Sequence, residues 1–138
     1  MATQNKYQDY VEKLLSAIHN WLAAGHTFKA ALHSDAPVNA SDDELADLTQ
    51  VTGTGYTAGG EDIQNDMSEA SGTATVTAVD VTWTAGAADW GAFRYVSIHN
   101  DTSTTDKLVS NFDYGSNLTL GNGETFTLDF GASLSTTA

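Results

Sequence analysis

The last third of the chain alternates apolar and polar residues in three short runs. These runs are residues 92–99, 107–114 and 125–130. Side chains on a strand alternate between two faces, so Phe126, Leu128 and Phe130 share one face. Turn-forming residues separate the runs. The pattern therefore predicts antiparallel strands with one face packed and the other in water.

The N-terminal part of the chain has a different, helical periodicity. Its apolar residues recur at spacings of three and four: Tyr7, Tyr10, Val11, Leu14, Leu15, Ile18, Trp21 and Leu22. Such spacing places an apolar stripe along one side of a helix, which we predict over residues 8–24. Gly25 is well placed to end this helix, because a left-handed cap residue favours glycine.

Glycine and acidic residues dominate the middle of the chain. A short strand is predicted over residues 27–33, with Phe28 and Leu32 facing inward. Residues 35–71 then predict an acidic, Gly-rich loop region, because residues 52–60 alone contain four glycines. Within that region, Ser41 and Glu44 match a capping box and predict a short helix.

The length of 138 residues predicts a single domain spanning 1–138. Residues 73–131 supply its C-terminal β-strands, with a bend near Asp80. Strict alternation places Phe93 on the same face as Tyr95 and Ser97, and both faces of that strand carry bulk. The expected fold is mainly β: an antiparallel β-sandwich with one N-terminal α-helix packed against it.

The strongest compositional signal is negative charge. The chain has 18 acidic residues against 5 Lys and Arg, a net charge of −13 and a pI near 4.2. Such a surface repels phosphate backbones, so we expect no nucleic-acid partner. Residues 35–69 contain nine acids and no Lys or Arg. This segment is either a solvated face or a surface for a basic partner, with Asp42, Asp43 and Glu44 as candidate contact residues.

Other compositional features exclude whole classes of chemistry and location. The chain contains no cysteine, so neither disulfides nor thiol chemistry are expected. No window has the apolar length of a membrane span, and we expect no membrane partner. The first residues carry no secretory signal, which leads us to expect synthesis in a cytoplasm.

No catalytic, cofactor or metal motif is recognisable. The four histidines lack the dense ligand spacing typical of zinc sites. The acids near Asp42 lack the calcium-loop pattern, and Asp101 and Asp106 only flank a loop. Neither a nucleophile elbow nor a complete phosphate-binding loop occurs. We therefore predict no enzymatic activity, no catalytic residues, no cofactor and no metal site.

Two aromatic residues in Gly-rich segments are candidates for contact with a partner. Trp90 lies in a turn of small residues, and Tyr56 lies among the glycines of 52–60. Exposed tryptophans are enriched at protein interfaces, although a small β domain also needs most of its aromatics for its core. Both positions for Trp90, interface and core, therefore remain open.

Nine segments taken together carry a resemblance to a known group of proteins. They are 5–21, 27–32, 36–37, 45–49, Gly55-Tyr56-Thr57-Ala58-Gly59-Gly60, 83–85, Phe93-Arg94-Tyr95, 113–115 and 123–130. In this order, the chain resembles small virion proteins of tailed bacteriophages that are interpreted as capsid decoration or cement proteins.

The resemblance implies a structural role on the outer surface of a phage head. The partner would be the major capsid protein, and the protein would stabilise the shell by burying surface at capsomer junctions. Self-association as a dimer or trimer would suit the symmetry axes of a capsid. Two alternatives remain: another virion component of the tail or head-completion type, and a carbohydrate-binding β-sandwich module that uses Trp90 and Tyr56.

Overall fold

The computed structural model describes residues 2–87, 89–131 and 134–137, the last three of them as backbone only. About 40% of the chain is strand and 8% is helix. The described elements are β1 (Thr3–Lys6), α1 (Gln8–Leu15), β2 (Phe28–His33), a 3-10 helix (Leu45–Asp47), β3 (Glu61–Asp62), β4 (Asp66–Ala70), β5 (Thr73–Thr77), β6 (Val81–Thr84), β7 (Phe93–Asn100), β8 (Lys107–Leu118), β9 (Thr125–Leu128) and β10 (Ser135–Thr137).

The strands form three antiparallel sheets. The largest has the order β1-β8-β7-β2-β3, the second has β10-β5-β4, and the third pairs β6 with β9. Each of these pairings is antiparallel. The predicted fold class, a mainly β, antiparallel sandwich-like protein with one α-helix, is confirmed.

One hydrophobic core is shared by all three sheets. Leu32 and Ile98 enter it from the five-stranded sheet, Val76 from the three-stranded sheet, and Trp83 and Leu128 from the β6–β9 pair. Each of these side chains is less than a tenth exposed. The sheets therefore enclose a common apolar interior, whose burial is the main favourable term for folding.

The five-stranded sheet is covered on its opposite face as well. A second, smaller cluster contains Tyr7, Ala31, Leu45, Leu48 and Leu108. Ala31 alternates along β2 with residues of the main core, so this cluster lies on the other side of the sheet. The predicted central strand with both faces covered is confirmed, since β7 lies between β8 and β2.

The C-terminal strands follow the predicted alternation closely. Leu128 and Phe130 are buried and Phe126 is half-buried, whereas Thr125 and Thr127 are exposed. The strand predicted to end at residue 114 continues to Leu118 as β8, and β10 lies beyond the predicted last strand. The position of Ala88, in the turn before Trp90, lies outside the described residues.

One face assignment on β7 is wrong. The pairing of β7 with β8 shifts register between Phe93 and Tyr95. Such an irregularity interrupts the period-two alternation. Phe93 consequently joins the main core with Val96 and Ile98, and does not share a face with Tyr95 and Ser97.

The N-terminal helix is half as long as predicted, because α1 ends at Leu15 and not near Gly25. Two backbone hydrogen bonds close its end: Ala17 N–H to Leu14 O at 3.3 Å and Ile18 N–H to Lys13 O at 2.9 Å. Ala17 has a φ of 62°. This combination is a Schellman motif in which alanine takes the left-handed position that usually belongs to glycine.

Contacts with the sheets explain why the helix stops early. The buried amide of Asn100 donates to Ile18 O at 2.9 Å, and that of Asn65 donates to Trp21 O at 3.0 Å. Trp21 stacks on Phe28 with ring centroids 3.6 Å apart. These contacts need an irregular backbone after Leu15, and tertiary packing routinely overrides helical propensity.

The loop predicted over residues 35–71 is wrong in its last third. Strands β3 and β4 occupy Glu61–Asp62 and Asp66–Ala70, where β3 pairs with β2 and β4 pairs with β5. Both strands lie at the edges of their sheets, where water covers one or both faces. Their side chains are therefore polar and acidic, and the sequence does not show the apolar alternation of a strand.

The predicted capping box uses different residues. The 3-10 helix Leu45–Asp47 is capped by Glu44, whose side chain accepts from the backbone of Asp47, while the Asp47 carboxylate accepts from the Glu44 backbone at 3.1 Å. Ser41 instead belongs to a preceding turn, in which its N–H donates to Val38 O. The short helix is therefore confirmed, but it starts after Glu44.

Candidate functional site

A row of large apolar residues is exposed near the N-terminus. Val11, Leu15, Ile18 and Leu22 are 45%, 85%, 37% and 47% exposed. Val11 and Leu15 are neighbours on one face of α1 because they are four residues apart. Ile18 and Leu22 follow in the irregular segment after Leu15, and we call the four residues together the N-terminal apolar surface. The sequence predicted them as the packed side of a helix, whereas only Tyr10 and Trp21 of that stripe are buried in the main core.

A shallow cleft borders this surface. It has a volume of about 290 Å³ and is lined by Lys13, Ile18, His26, Lys107 and the 102–105 turn. Two ammonium groups therefore lie beside apolar side chains. Interfaces between proteins combine an apolar core with a polar rim.

Of the acidic candidates Asp42, Asp43 and Glu44, the last two hold the middle of the chain against β8. Lys107 Nζ lies 3.2 Å from Asp43 Oδ2 and 2.9 Å from Glu44 Oε1. The Lys107 ammonium lowers the pKa of Glu44. Asp42 Oδ2 accepts a hydrogen bond from the Val38 N–H at 2.7 Å. The structure thus gives all three residues local partners, and their contact with another protein stays a prediction.

Trp90 lies in the core and not on the surface. Its side chain is only 2% exposed, and its indole N–H donates to Thr54 O at 2.8 Å. Tyr56 packs edge-on against it with ring centroids 5.6 Å apart. A Cβ at Gly53 would lie 2.4 Å from the Trp90 ring, so the glycine allows the loop to close over the indole.

Tyr56 is half-buried and its hydroxyl is also engaged. The Leu32 N–H donates to it at 3.1 Å, and it donates to Gln50 Oε1 at 3.1 Å. Burial raises the pKa of Tyr56 to about 12. The Tyr56–Trp90 pair therefore fastens the Gly-rich loop to β2 and offers little free aromatic surface for a sugar.

The structure contains a Ser-His-Asp arrangement that the sequence did not indicate. His33 Nε2 lies 2.8 Å from Ser97 Oγ, and His33 Nδ1 lies 3.3 Å from Asp35 Oδ1. These are the partners of a nucleophile, a base and an orienting carboxylate. However, Ser97 and His33 are fully buried, and the Tyr7 hydroxyl lies 2.8 Å from Ser97 Oγ.

This arrangement is a buried polar network. Burial lowers the pKa of His33 although Asp35 opposes the shift. A nucleophile has to meet its substrate at hydrogen-bonding distance, and in this structure Ser97 is covered on all sides. Because its members come from separate segments, at residues 7, 33–35 and 97, no local sequence motif could have revealed the network.

A second cluster lies at the tip of the β7–β8 hairpin. One ligand atom each from His99, Asp101 and Asp106 lies within 4.8 Å of the others. His99 is buried, Asp106 is half-buried and Asp101 is exposed. In the sequence only the two acids stand out, because His99 has the position of an ordinary strand residue.

Comparisons with protein-family models, with curated proteins and with solved structures find no match to this chain. No helix within the described residues is long and apolar enough to cross a membrane.

Proposed function

We propose that this protein is a structural virion protein without enzymatic activity, which binds the outer surface of a tailed-phage head and stabilises the shell. Its partner is the major capsid protein. The proposal rests on the resemblance of the ordered segments and on the properties of one exposed surface. That surface is the observation that carries the proposal.

The N-terminal apolar surface has the exposed apolar side chains expected of a surface that binds a partner. Leu15 is 85% exposed, although leaving a leucine in water forgoes roughly 1.5–3 kcal/mol of burial free energy. Val11, Leu15, Ile18 and Leu22 concentrate such exposure within one short stretch, whereas isolated exposed apolar residues are common on any protein. In the proposed complex, a junction between capsid subunits covers these side chains.

The distribution of charge favours a hydrophilic outer skin for the rest of the molecule. Asp43 and Glu44 already pair with Lys107, which reduces the charge that they can offer to a basic partner. The acids of β3 and β4 lie on edge strands, and the chain carries a net charge of −13. A strongly charged surface opposes non-specific association between neighbouring particles.

Self-association on the shell is part of the proposal. A dimer or a trimer would place identical contact surfaces around a symmetry axis of the capsid. Linking the subunits would raise the overall affinity of each oligomer, because the second contact becomes intramolecular.

The test is binding of purified protein to undecorated heads of the parent phage, followed by sedimentation and quantification of bound copies. The proposal predicts saturable binding with hundreds of copies, in a number set by the symmetry of the shell. Leu15→Glu should lose this binding. Thr119→Glu, which adds the same charge at another exposed position, should keep it.

Three outcomes would reject the proposal. Failure of the wild-type protein to bind heads would remove the capsid as the partner. Recovery in rings of a few copies, or in tails alone, would favour a completion or tail component. Equal binding by Leu15→Glu and the wild-type protein would show that the N-terminal apolar surface is not the contact.

A further inference from the structure

We propose that His99, Asp101 and Asp106 form a binding site for a divalent transition-metal ion of the Zn²⁺ type at the tip of the β7–β8 hairpin. One ligand atom from each residue lies within 4.8 Å of the other two. Imidazole nitrogen and carboxylate oxygen together are a typical donor set for Zn²⁺. The site is independent of the proposed role on a capsid.

The orientation of the His99 ring is the decisive observation. His99 Nε2 lies 2.7 Å from Gly59 O. A carbonyl oxygen only accepts hydrogen bonds, so Nε2 carries the proton and Nδ1 presents a lone pair. A histidine that ligates a metal commonly donates its other N–H to a backbone carbonyl in this way, which fixes its tautomer and orientation.

The same lone pair has no partner within the protein. His99 is fully buried, and its Nδ1 makes no hydrogen bond to any residue that the structure describes. A buried polar atom without a partner is costly, which makes such atoms unusual in folded proteins.

The hairpin turn supplies the two carboxylates from either side. Asp101 follows β7 directly and Asp106 precedes β8 directly. Within the turn, Ser103 N–H donates to Asn100 O at 3.1 Å and Lys107 N–H donates to Ser103 Oγ at 2.8 Å. These bonds hold the ends of the turn together, so both acids stay near His99.

The site needs only a small closure to bind a metal. Ligand atoms at roughly 2.0–2.2 Å from a tetrahedral Zn²⁺ lie about 3.4 Å apart. The exposed Asp101 and half-buried Asp106 side chains can supply this movement, while the ring of His99 stays in place. Lys29 Nζ lies 3.1 Å from Asp101 Oδ2, so the lysine competes with the ion for that carboxylate.

Three protein ligands leave a fourth position for water or for a group from a partner. The bound ion would join the end of β7 to the start of β8. It would therefore stabilise the hairpin, because an ion that binds only the folded state shifts the folding equilibrium toward that state.

The test uses full-length, tag-free protein treated with a chelator and then titrated with ZnCl₂ by calorimetry, with melting curves in parallel. The wild-type protein should bind one Zn²⁺ per chain with a rise in melting temperature, and CaCl₂ and MgCl₂ should leave the melting temperature unchanged. Asp101→Asn and Asp106→Asn should each weaken Zn²⁺ binding at least about tenfold. The control Asp129→Asn, at an exposed acid away from the site, should bind like the wild-type protein.

Nuclear magnetic resonance of the histidine rings separates this site from His19 and His26. The Nδ1 resonance of His99 should shift on addition of Zn²⁺ and should not shift in Asp106→Asn. Three results would overturn the proposal: no saturable binding, binding that both asparagine variants retain, or an unchanged His99 Nδ1 resonance, which would indicate that water fills the position.

Discussion

The strands β7 to β9 and the segment at residues 8–24 both carry regular apolar patterns, but the two patterns relate to the structure differently. Along the strands, the apolar side chains are buried or half-buried within the chain, as Leu128 and Phe130 show. Along residues 8–24, the helical stripe correctly indicates the start of α1, yet Val11 and Leu15 of that stripe face solvent.

The difference lies in what covers each element. A strand in the middle of a sheet receives neighbours on both edges and layers on both faces, so the chain itself covers its apolar side chains. A short helix at the margin is held by few contacts. Here Tyr10 enters the main core and Leu14 packs against it, whereas Val11 and Leu15 stay exposed. An apolar stripe therefore shows that a surface needs cover, but it does not show whether the chain itself supplies it.

The largest expected effect comes from making the same substitution in both regions. Leu32→Ala in β2 removes a fully buried side chain from the main core and should lower the free energy of unfolding by about 2–5 kcal/mol. Leu15→Ala removes an exposed side chain and should change it by less than about 0.5 kcal/mol. Urea unfolding of the two variants measures both values. Similar losses in both would show that Leu15 is packed.

The second prediction concerns the side-chain amide of Asn100, which holds the irregular segment after Leu15. Asn100→Ala removes the donor to Ile18 O and should cost about 1–3 kcal/mol, because buried polar groups lose their partners. Asn117→Ala, at an exposed position of β8, is the matched control and should stay within about 0.5 kcal/mol of the wild-type protein. If Asn100→Ala matched its control, the irregular segment would not depend on this amide.

Low pH should lower the free energy of unfolding through His19, which lies in the irregular segment after Leu15. Burial, together with the neighbouring His26, lowers the pKa of His19 to about 4 from an ordinary value of 6.5. The unfolded chain then binds the proton more readily, so the stability that neutral His19 supports is complete above pH 6.5 and is lost as the pH falls from 6.5 to 4. Burial lowers the pKa values of His33 and His99 as well, which acts in the same direction.

Unfolding in urea at pH 7.5 and pH 5.0 measures this loss. His19 alone accounts for up to about 2 kcal/mol between these two conditions. In His19→Gln the difference between the two pH values should shrink by up to that amount, whatever the absolute stability of the variant. An unchanged difference would mean that burial does not lower the pKa of His19.

The smallest expected change in the free energy of unfolding concerns Ala17, and its sign distinguishes a short α1 from a long one. Ala17 takes a left-handed conformation with a φ of 62° at the end of α1. Ala17→Gly should therefore stabilise the protein by about 0.5–1 kcal/mol, because glycine adopts this conformation without a steric penalty. A helix that continued to Ala24 would respond in the opposite direction, since glycine in a helix interior destabilises by a similar amount.

Ala24→Gly, at an exposed position after the helix, provides the control for this substitution. It should bring no comparable gain, because no left-handed backbone angle is relieved there. Destabilisation by Ala17→Gly would indicate that the helix continues past Ala17, as predicted from the sequence.

The residues that were predicted correctly are those whose environment is local. The strands from Phe93 onward and the inward set of β2 follow from alternation, since each side chain depends mainly on its own strand. Phe93 escaped this rule because a register shift between strands cannot be read from either strand alone. The end of α1 escaped because Asn65 and Asn100, which hold the following segment, are distant in the sequence.

The candidate sites follow the same division. Trp90 lies in a turn of small residues that suggests exposure, yet the loop at Gly53 closes over its ring. The cluster at the hairpin tip depends on Gly59, from another loop, because its carbonyl oxygen fixes the orientation of the His99 ring. Both features depend on the approach of segments that are far apart along the chain.

A density map of the decorated head of the parent phage, obtained by electron cryo-microscopy, would show directly which surface of the protein meets the shell. In this map the protein should lie on the outer shell with Val11, Leu15, Ile18 and Leu22 against the capsid subunits or a second copy of the chain at their junction, and with β3 and β4 facing solvent. A map in which these four side chains remain in water, or in which the protein occupies only the tail, would contradict it.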